Sequence, residues 1–339
     1  MNSKPMRSKY IFLFALSSLV LSGCASEMGS DSTQEERTYN SISGRVGVDG
    51  PIMAVKIDDT SSARPQIGLE DADVVYIEQV EGGLTRLAAI FSSVIPTNIG
   101  PIRSARISDI DILSQYGKVI FAYSGAQRAM LTVIANSNLW DYGAQRQSPT
   151  IYTRDANRPA PYDMVLRGDL LLEKAKADER DIAISKSAGW SFGEAPVGGV
   201  AIDSVALRWP ASKYEATWSK VEKRWLLSNG GVANFAASGK QLGPTTLVIQ
   251  TVEMSDSIYR SADGSYTPLS ETVGSGTGYI LRDGRSFKAN WSRPAAESGT
   301  TWTLADGSEI KFAAGSIWVA LVDRKPAFTL SAPTSPDSK

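Results

Sequence analysis

The chain has 339 residues, 42 % of them hydrophobic, with 35 Lys and Arg against 36 Asp and Glu for a net charge of −1. It contains no histidine and one cysteine, Cys24, which excludes Ser-His-Asp and Cys-His catalysis, the common histidine-based zinc sites and any internal disulfide. The balanced charge gives no global case for nucleic-acid binding.

The first residues point to a compartment. Lys4, Arg7 and Lys9 form a basic start, and IFLFALSSLVLSG (11–23) is an apolar run too short to span a bilayer comfortably. Cys24 directly follows the small residues of LSGC, the pattern of a lipoprotein signal peptide over 1–23. The mature chain would then begin at Cys24, with acyl chains on its sulfur and amino group, and two or more chains anchor a protein stably where one does not. The expectation is an extracytoplasmic protein held to a bacterial cell membrane through lipidated Cys24.

Residues 24–50 are polar and rich in Ser, Gly and charge, and read as a disordered tether. IMAVKID (52–58), ADVVYIEQV (72–80) and LTRLAAIFSS (84–93) read as strands, the last two joined through the turn EGG. A helical pattern runs from Ser104 to Tyr116, and KVIFAYSG (118–125) reads as a buried strand. Helices are predicted for AQRAMLTVIANS (126–137) and YDMVLRGDLLLEKAKAD (162–178). Together these predict an α/β N-terminal domain over 51–186, a mixed sheet with helices.

Gly, Pro and Ser then accumulate over 187–199, a linker. The segment 200–325 reads as a smaller, mainly-β domain of short strands, with Asp283-Gly284 and Asp306-Gly307 as hairpin turns. Trp209, Trp218, Trp225, Trp291, Trp302 and Trp318 form either its core or a sugar-stacking face. Residues 326–339 read as a disordered tail. GSGTG (274–278) lacks the Lys and the helix of a phosphate loop and reads as a turn or bulge, so no cofactor is expected.

Polar residues gather at the ends of the N-terminal elements: Lys56, Asp58, Asp59 and Arg64; Glu78, Glu81, Thr85 and Arg86; Arg103, Ser104, Arg106 and Asp109; Tyr123 and Ser124. Such element ends line the ligand crevice of open α/β sheets. Arg103 and Arg106 stand at a helix start, where a cation is unfavourable unless something negative answers it. Their partner is either an anionic ligand, held with Lys56, Asp58, Arg64, Glu81, Arg86, Ser104 and Ser124 around it, or the protein's own carboxylates at 58, 59, 78 and 81. Glu78, Glu81 and Asp58 also suggest an alternative, a carboxylate pair for glycan hydrolysis, which needs no histidine. Against it, neighbouring arginines lower a pKa that a general acid needs raised. Asp58 and Asp59 face opposite sides of a strand, so no metal site is expected.

The run VKIDDTSSARPQIGLEDADVVYIEQVEGGLTRLAAIFSSVIPTNIGPIRSARISDIDIL, then FAYSGA, TTLVIQT, GSGTGYILRDGRSFKANWSR and ADGSEIKFAAGSIWVALV, resembles the YerB-like bacterial lipoproteins. The resemblance covers about Pro51 to Val322 and implies a two-domain, lipid-anchored envelope protein whose two halves are domains of unknown function, with no established activity. Where that family commonly reads Pro-His-Asn before a helix, this chain has APYDMVL, with Tyr162 and Asp163. The expected function is therefore a binding or scaffold protein of the cell envelope, its partner a cell-wall component or an envelope protein.

Overall fold

The computed structural model describes residues 38–261, 264–324 and 327–333. The signal peptide and Cys24 lie outside the described residues. Three apolar runs start the fold: β1 (Met53–Asp58), β2 (Val74–Gln79) and β3 (Thr85–Phe91), almost entirely buried. A strand covered on both faces has no solvent side to mark with polar residues, hence the near-continuous hydrophobicity. Glu81-Gly82-Gly83 turns β2 into β3, with φ of 68° and 70° at the two glycines. There follow β4 (Asn98–Ile99), α1 (Ser108–Ser114), β5 (Ile120–Ala122), α2 (Arg128–Asn136), β6 (Trp140–Asp141), β7 (Tyr152–Arg154), β8 (Met164–Arg167) and α3 (Gly168–Ala177).

The second half is strands throughout. They are β9 (Val200–Ala201), β10 (Ser204–Arg208), β11 (Lys213–Ser219), β12 (Arg224–Asn229), β13 (Val232–Ala233), the 15-residue β14 (Thr246–Arg260) and β15 (Tyr266–Glu271). The chain continues through β16 (Gly274–Arg282), β17 (Arg285–Arg293), β18 (Thr301–Thr303), β19 (Ile317–Asp323) and β20 (Phe328–Ser331). Asp283 and Gly284 both have positive φ, 51° and 69°, the geometry of a two-residue hairpin turn between β16 and β17.

The predicted α/β class is not what forms. Among the described residues there are three α-helices, of 7, 9 and 10 residues, against twenty strands, so the protein is mainly β. The predicted helix over 162–178 begins as strand β8, whose Val165 and Leu166 are buried, and becomes helical only from Gly168. A twelve-stranded sheet runs β18-β17-β16-β14-β19-β2-β3-β1-β5-β6, with β15 on β14 and β9 on β17. β19, near the C-terminus, pairs parallel with β2 from Ile317↔Val74 to Ala320↔Ile77. Strands from both sequence halves thus share one sheet within a single compact unit.

Met53, Val55 and Ile57 enter one core and Ile52 and Ala54 the other, the period of two that a two-faced strand imposes. A five-stranded sheet, β13-β12-β11-β10-β20, covers the first face. Its Trp225 donates to the Leu281 carbonyl at 3.1 Å, and Trp209 donates to the Leu321 carbonyl at 2.9 Å. Trp209, Trp225, Trp291, Trp302 and Trp318 are buried and Trp218 half-buried, so the tryptophans build core. Two expected unstructured ends are partly packed. Asn40, Ile42 and Ser43 are buried, which places 40–50 in the fold rather than in a tether, and β20 lies in the expected tail.

GSGTG lies inside β16 rather than in a turn. A Cβ at Gly278 would come 2.2 Å from the Ile249 carbonyl oxygen and 3.0 Å from the Trp302 ring. Replacing Gly278 with Ala should lower stability by about 1–3 kcal/mol through overpacking, read as a lower thermal midpoint; an unchanged midpoint would contradict this packing.

Candidate functional site

Strand periodicity builds the site. Lys56, Asp58, Glu78 and Arg86 continue the face that carries Ala54, Tyr76 and Ala88, against which α1 packs through Ile112 and Leu113. Asp59 and Thr85 have the opposite parity and point to the other side. The segment 101–103 lies beside the end of β1, with Asp58 N–H donating to the Pro101 carbonyl and Arg103 N–H to the Lys56 carbonyl. Ser124 joins through its main chain alone in the described contacts, its N–H bonded to the Arg103 carbonyl at 3.0 Å.

At the bottom, Lys56 contacts Glu78 Oε1 and reaches Asp109 Oδ1 at 2.6 Å, and all three side chains are fully buried. Burial pushes the Lys56 ammonium down to about 8, opposed by the Asp109 charge. The other Asp109 oxygen accepts the Arg106 backbone N–H at 2.6 Å. Above them, Arg106 holds Glu81 Oε2 through Nε at 2.8 Å and Nη2 at 2.6 Å, and Arg103 Nε lies 2.7 Å from Asp58 Oδ2. The two arginines before the helix are thus answered by Glu81 and Asp58. On the opposite side, Arg64 pairs with Asp59 at 3.1 Å, and Asp59 also accepts the Thr85 and Tyr214 hydroxyls. That places Arg64 and Asp59 in a separate buried contact with the second half.

Arg86 differs from the other cations. It donates to the Ser104 carbonyl at 3.0 Å, yet no carboxylate among the described residues forms an ion pair with it. Burial, and then the charges of Arg106 and Arg103, push its guanidinium down to about 9. Lys56 takes two carboxylates and Arg86 none. The cluster therefore carries surplus negative charge at its buried end and surplus positive charge at the Ser104 end.

Beside that end is a cleft of about 540 Å³, lined by Glu81, Ser104, Arg106, Gln127, Arg260 and Thr267 among others. Its far wall is the β14–β15 arm, attached through Thr267 to Glu81, Gln127 Nε2 to the Arg260 carbonyl at 2.6 Å, and Ser270 N–H to Ser108 Oγ at 2.9 Å. Arg260 is exposed, its guanidinium 3.5 Å over the Tyr266 ring. Sequence reasoning missed Gln127, Arg260 and Thr267. The available signal was the run SDSIYR, which continues β14 after its apolar stretch ends. Burial alone would raise the Glu81 carboxyl, but the hydrogen bonds and charge of Arg106 and the Thr267 hydroxyl hold it below its ordinary value.

A mainly-β protein with a shared sheet and an arginine-lined cleft matches one family in both halves. Residues 40–182 match the N-terminal domain, and 205–319 the C-terminal domain, of the family described as "Protein of unknown function (DUF3048)". The chain belongs to that family. It is 23 % identical over 286 residues to "Putative lipoprotein YerB" of Bacillus subtilis (strain 168), covering 82 % of this chain and 83 % of that protein. It superposes on the crystal structure of YerB from Bacillus subtilis with a TM-score of 0.74 at 20 % identity, over 87 % of this chain and all of the other. Among the described residues, no helix is long and apolar enough to cross a membrane.

Because the folded Glu81 carboxyl lies below its reference value of 4.5, its contribution to stability is complete above that pH and is lost as pH falls through the lower folded value. Between about pH 6 and pH 3, the wild-type denaturant midpoint should therefore fall more steeply than that of Glu81→Gln. Parallel curves would show that the Arg106–Glu81 contact carries no such linkage.

Proposed function

We propose that the protein is a lipid-anchored, extracytoplasmic binding protein of the bacterial cell envelope, whose cleft recognises an anionic envelope component. The observation that carries this reading is Arg86, a partly buried guanidinium without an ion-paired carboxylate, hydrogen-bonded to Ser104 in the cleft wall. The cleft itself is lined by Arg106, which Glu81 already holds, and by the exposed Arg260, which adds a further cationic fork. The lipoprotein pattern ending at Cys24 supports a cleft on the outer side of the membrane.

The alternative, glycan hydrolysis by Glu78, Glu81 or Asp58, receives no comparable support. Each of these carboxylates is committed to a cation: Glu78 to Lys56, Glu81 to Arg106 and Asp58 to Arg103. A general acid needs its pKa raised, and that of Glu81 is lowered.

Replacing Arg103 or Arg106 would strand Asp58 or Glu81, so the informative variants are Arg86→Met and Arg260→Ala. A chain starting at Ala25 should cosediment with purified bacterial wall that retains its anionic polymers. It should bind acid-stripped wall poorly, and each variant should weaken binding by about tenfold at low salt. Equal binding by wild type and both variants, or none by the wild type, would refute an anionic ligand in the cleft. Separately, Cys24→Ser should move the expressed protein from the membrane fraction to the soluble extracytoplasmic fraction; continued membrane fractionation would overturn the lipid anchor.

A further inference from the structure

Thirteen large apolar side chains are prominently exposed among the described residues, and four of them lie on the segments where the chain enters the fold: Tyr39 at 57 %, Val46 at 64 %, Val48 at 63 % and Val94 at 51 %. Single exposed apolar residues are ordinary, but a group asks for a partner. Tyr39 bridges antiparallel to Val46, and the Gly47 N–H donates to the Thr38 carbonyl at 3.0 Å. The Gly47 backbone packs on Ser93, next to Val94; a Cβ placed there would sit 3.5 Å from that of Ser93.

The fold holds this hairpin without using those four side chains. Ser43 Oγ donates to the buried Asp73 at 2.6 Å, and Trp190 donates to the Ile42 carbonyl at 2.9 Å. Arg45 donates to the carbonyls of Glu70 and Asp71 at 2.9 and 2.8 Å. Among the described residues of the hairpin, the two charges, Arg45 and Asp49, are also occupied. Arg45 is spent on those carbonyls, and the Asp49 carboxylate accepts both the N–H and the hydroxyl of Ser41 at 2.6 Å.

We infer that this face, Tyr39, Val46, Val48 and Val94, rests on the surface of the lipid bilayer to which the protein is anchored. The inference depends on the lipid-anchor reading above. Cys24 precedes Thr38 by 14 residues, a length that reaches at most about 50 Å. That reach keeps the hairpin at the chain's entry close enough to the bilayer for its apolar face to touch it. A tyrosine and three valines, with Arg45 and Asp49 already bonded, suit the boundary between headgroups and acyl chains, where an aromatic ring keeps its hydroxyl in water.

Cys24 is the single cysteine, so it can be coupled chemically to vesicles. The chain from Cys24 is attached to phosphatidylcholine vesicles carrying a maleimide headgroup lipid, and its amide exchange is compared with the same chain capped by N-ethylmaleimide in solution. Exchange over 39–48 and 93–95 should slow by about threefold on vesicles and remain unchanged elsewhere. Val46→Ser with Val48→Ser should abolish that difference while leaving the thermal midpoint in place. Equal exchange on and off vesicles overturns the inference, as does slowing in the capped chain with rising concentration, which would mean that a second copy covers the face. Chemical coupling keeps this result independent of whether cells acylate Cys24, which the fractionation of Cys24→Ser decides.

Discussion

A buried ammonium joins the first half of the molecule. Lys56 of β1 lies between Glu78 of β2 and Asp109 of α1, with no exposure to solvent. Losing one member of such a group leaves a buried charge uncompensated, at a cost of about 3–5 kcal/mol. The same Asp109 holds the Arg106 backbone, so the clamp also sets the loop that carries Arg103, Ser104 and Arg106. The position of the cleft wall follows from it.

The opposite wall comes from far away in the chain. β14 leaves the twelve-stranded sheet and continues with β15 as an arm, whose Thr267 shares Glu81 with Arg106. Parallel pairing of β19 with β2 places the second half of the sequence against the first. Neither sequence half alone contains both walls. One carboxylate, Glu81, therefore meets an arginine from the loop before α1 and a hydroxyl from the arm.

Charge is balanced in this cluster by number but not by position. Lys56, Arg86, Arg103 and Arg106 face Asp58, Glu78, Glu81 and Asp109, yet Lys56 draws two acids inward and Arg86 is left without an ion pair near the cleft. Behind Ser104, whose carbonyl it holds in the cleft wall, lies a guanidinium that the protein has not neutralised by direct contact. This asymmetry supports a binding role more directly than the number of arginines does, since most of them are already answered.

Much of the fold was legible in local chemistry. The apolar runs at 52–58, 72–80 and 84–93 became strands, and Asp283-Gly284 made its turn because both residues adopt positive φ. Parity along β1 also put Asp58 and Asp59 on opposite sides, but that Lys56, Asp58, Glu78 and Arg86 share one face needed the register of β1, β2 and β3. Fold class was not legible, because residues 164–167 have an apolar content that suits a helix or a strand, and pairing with β4 and β7 selected the strand. The packing of 40–50 was hidden for a related reason: its few anchors, Asn40, Ile42 and Ser43, sit in a polar stretch. By itself, then, the sequence determined the elements whose signals are local, the lipoprotein pattern and the absence of histidine chemistry. Only the tertiary structure decided which acid answers which arginine and that Arg260 stands across from Arg106, because ion pairs form within a few ångströms between residues that pairing β19 with β2 brings together.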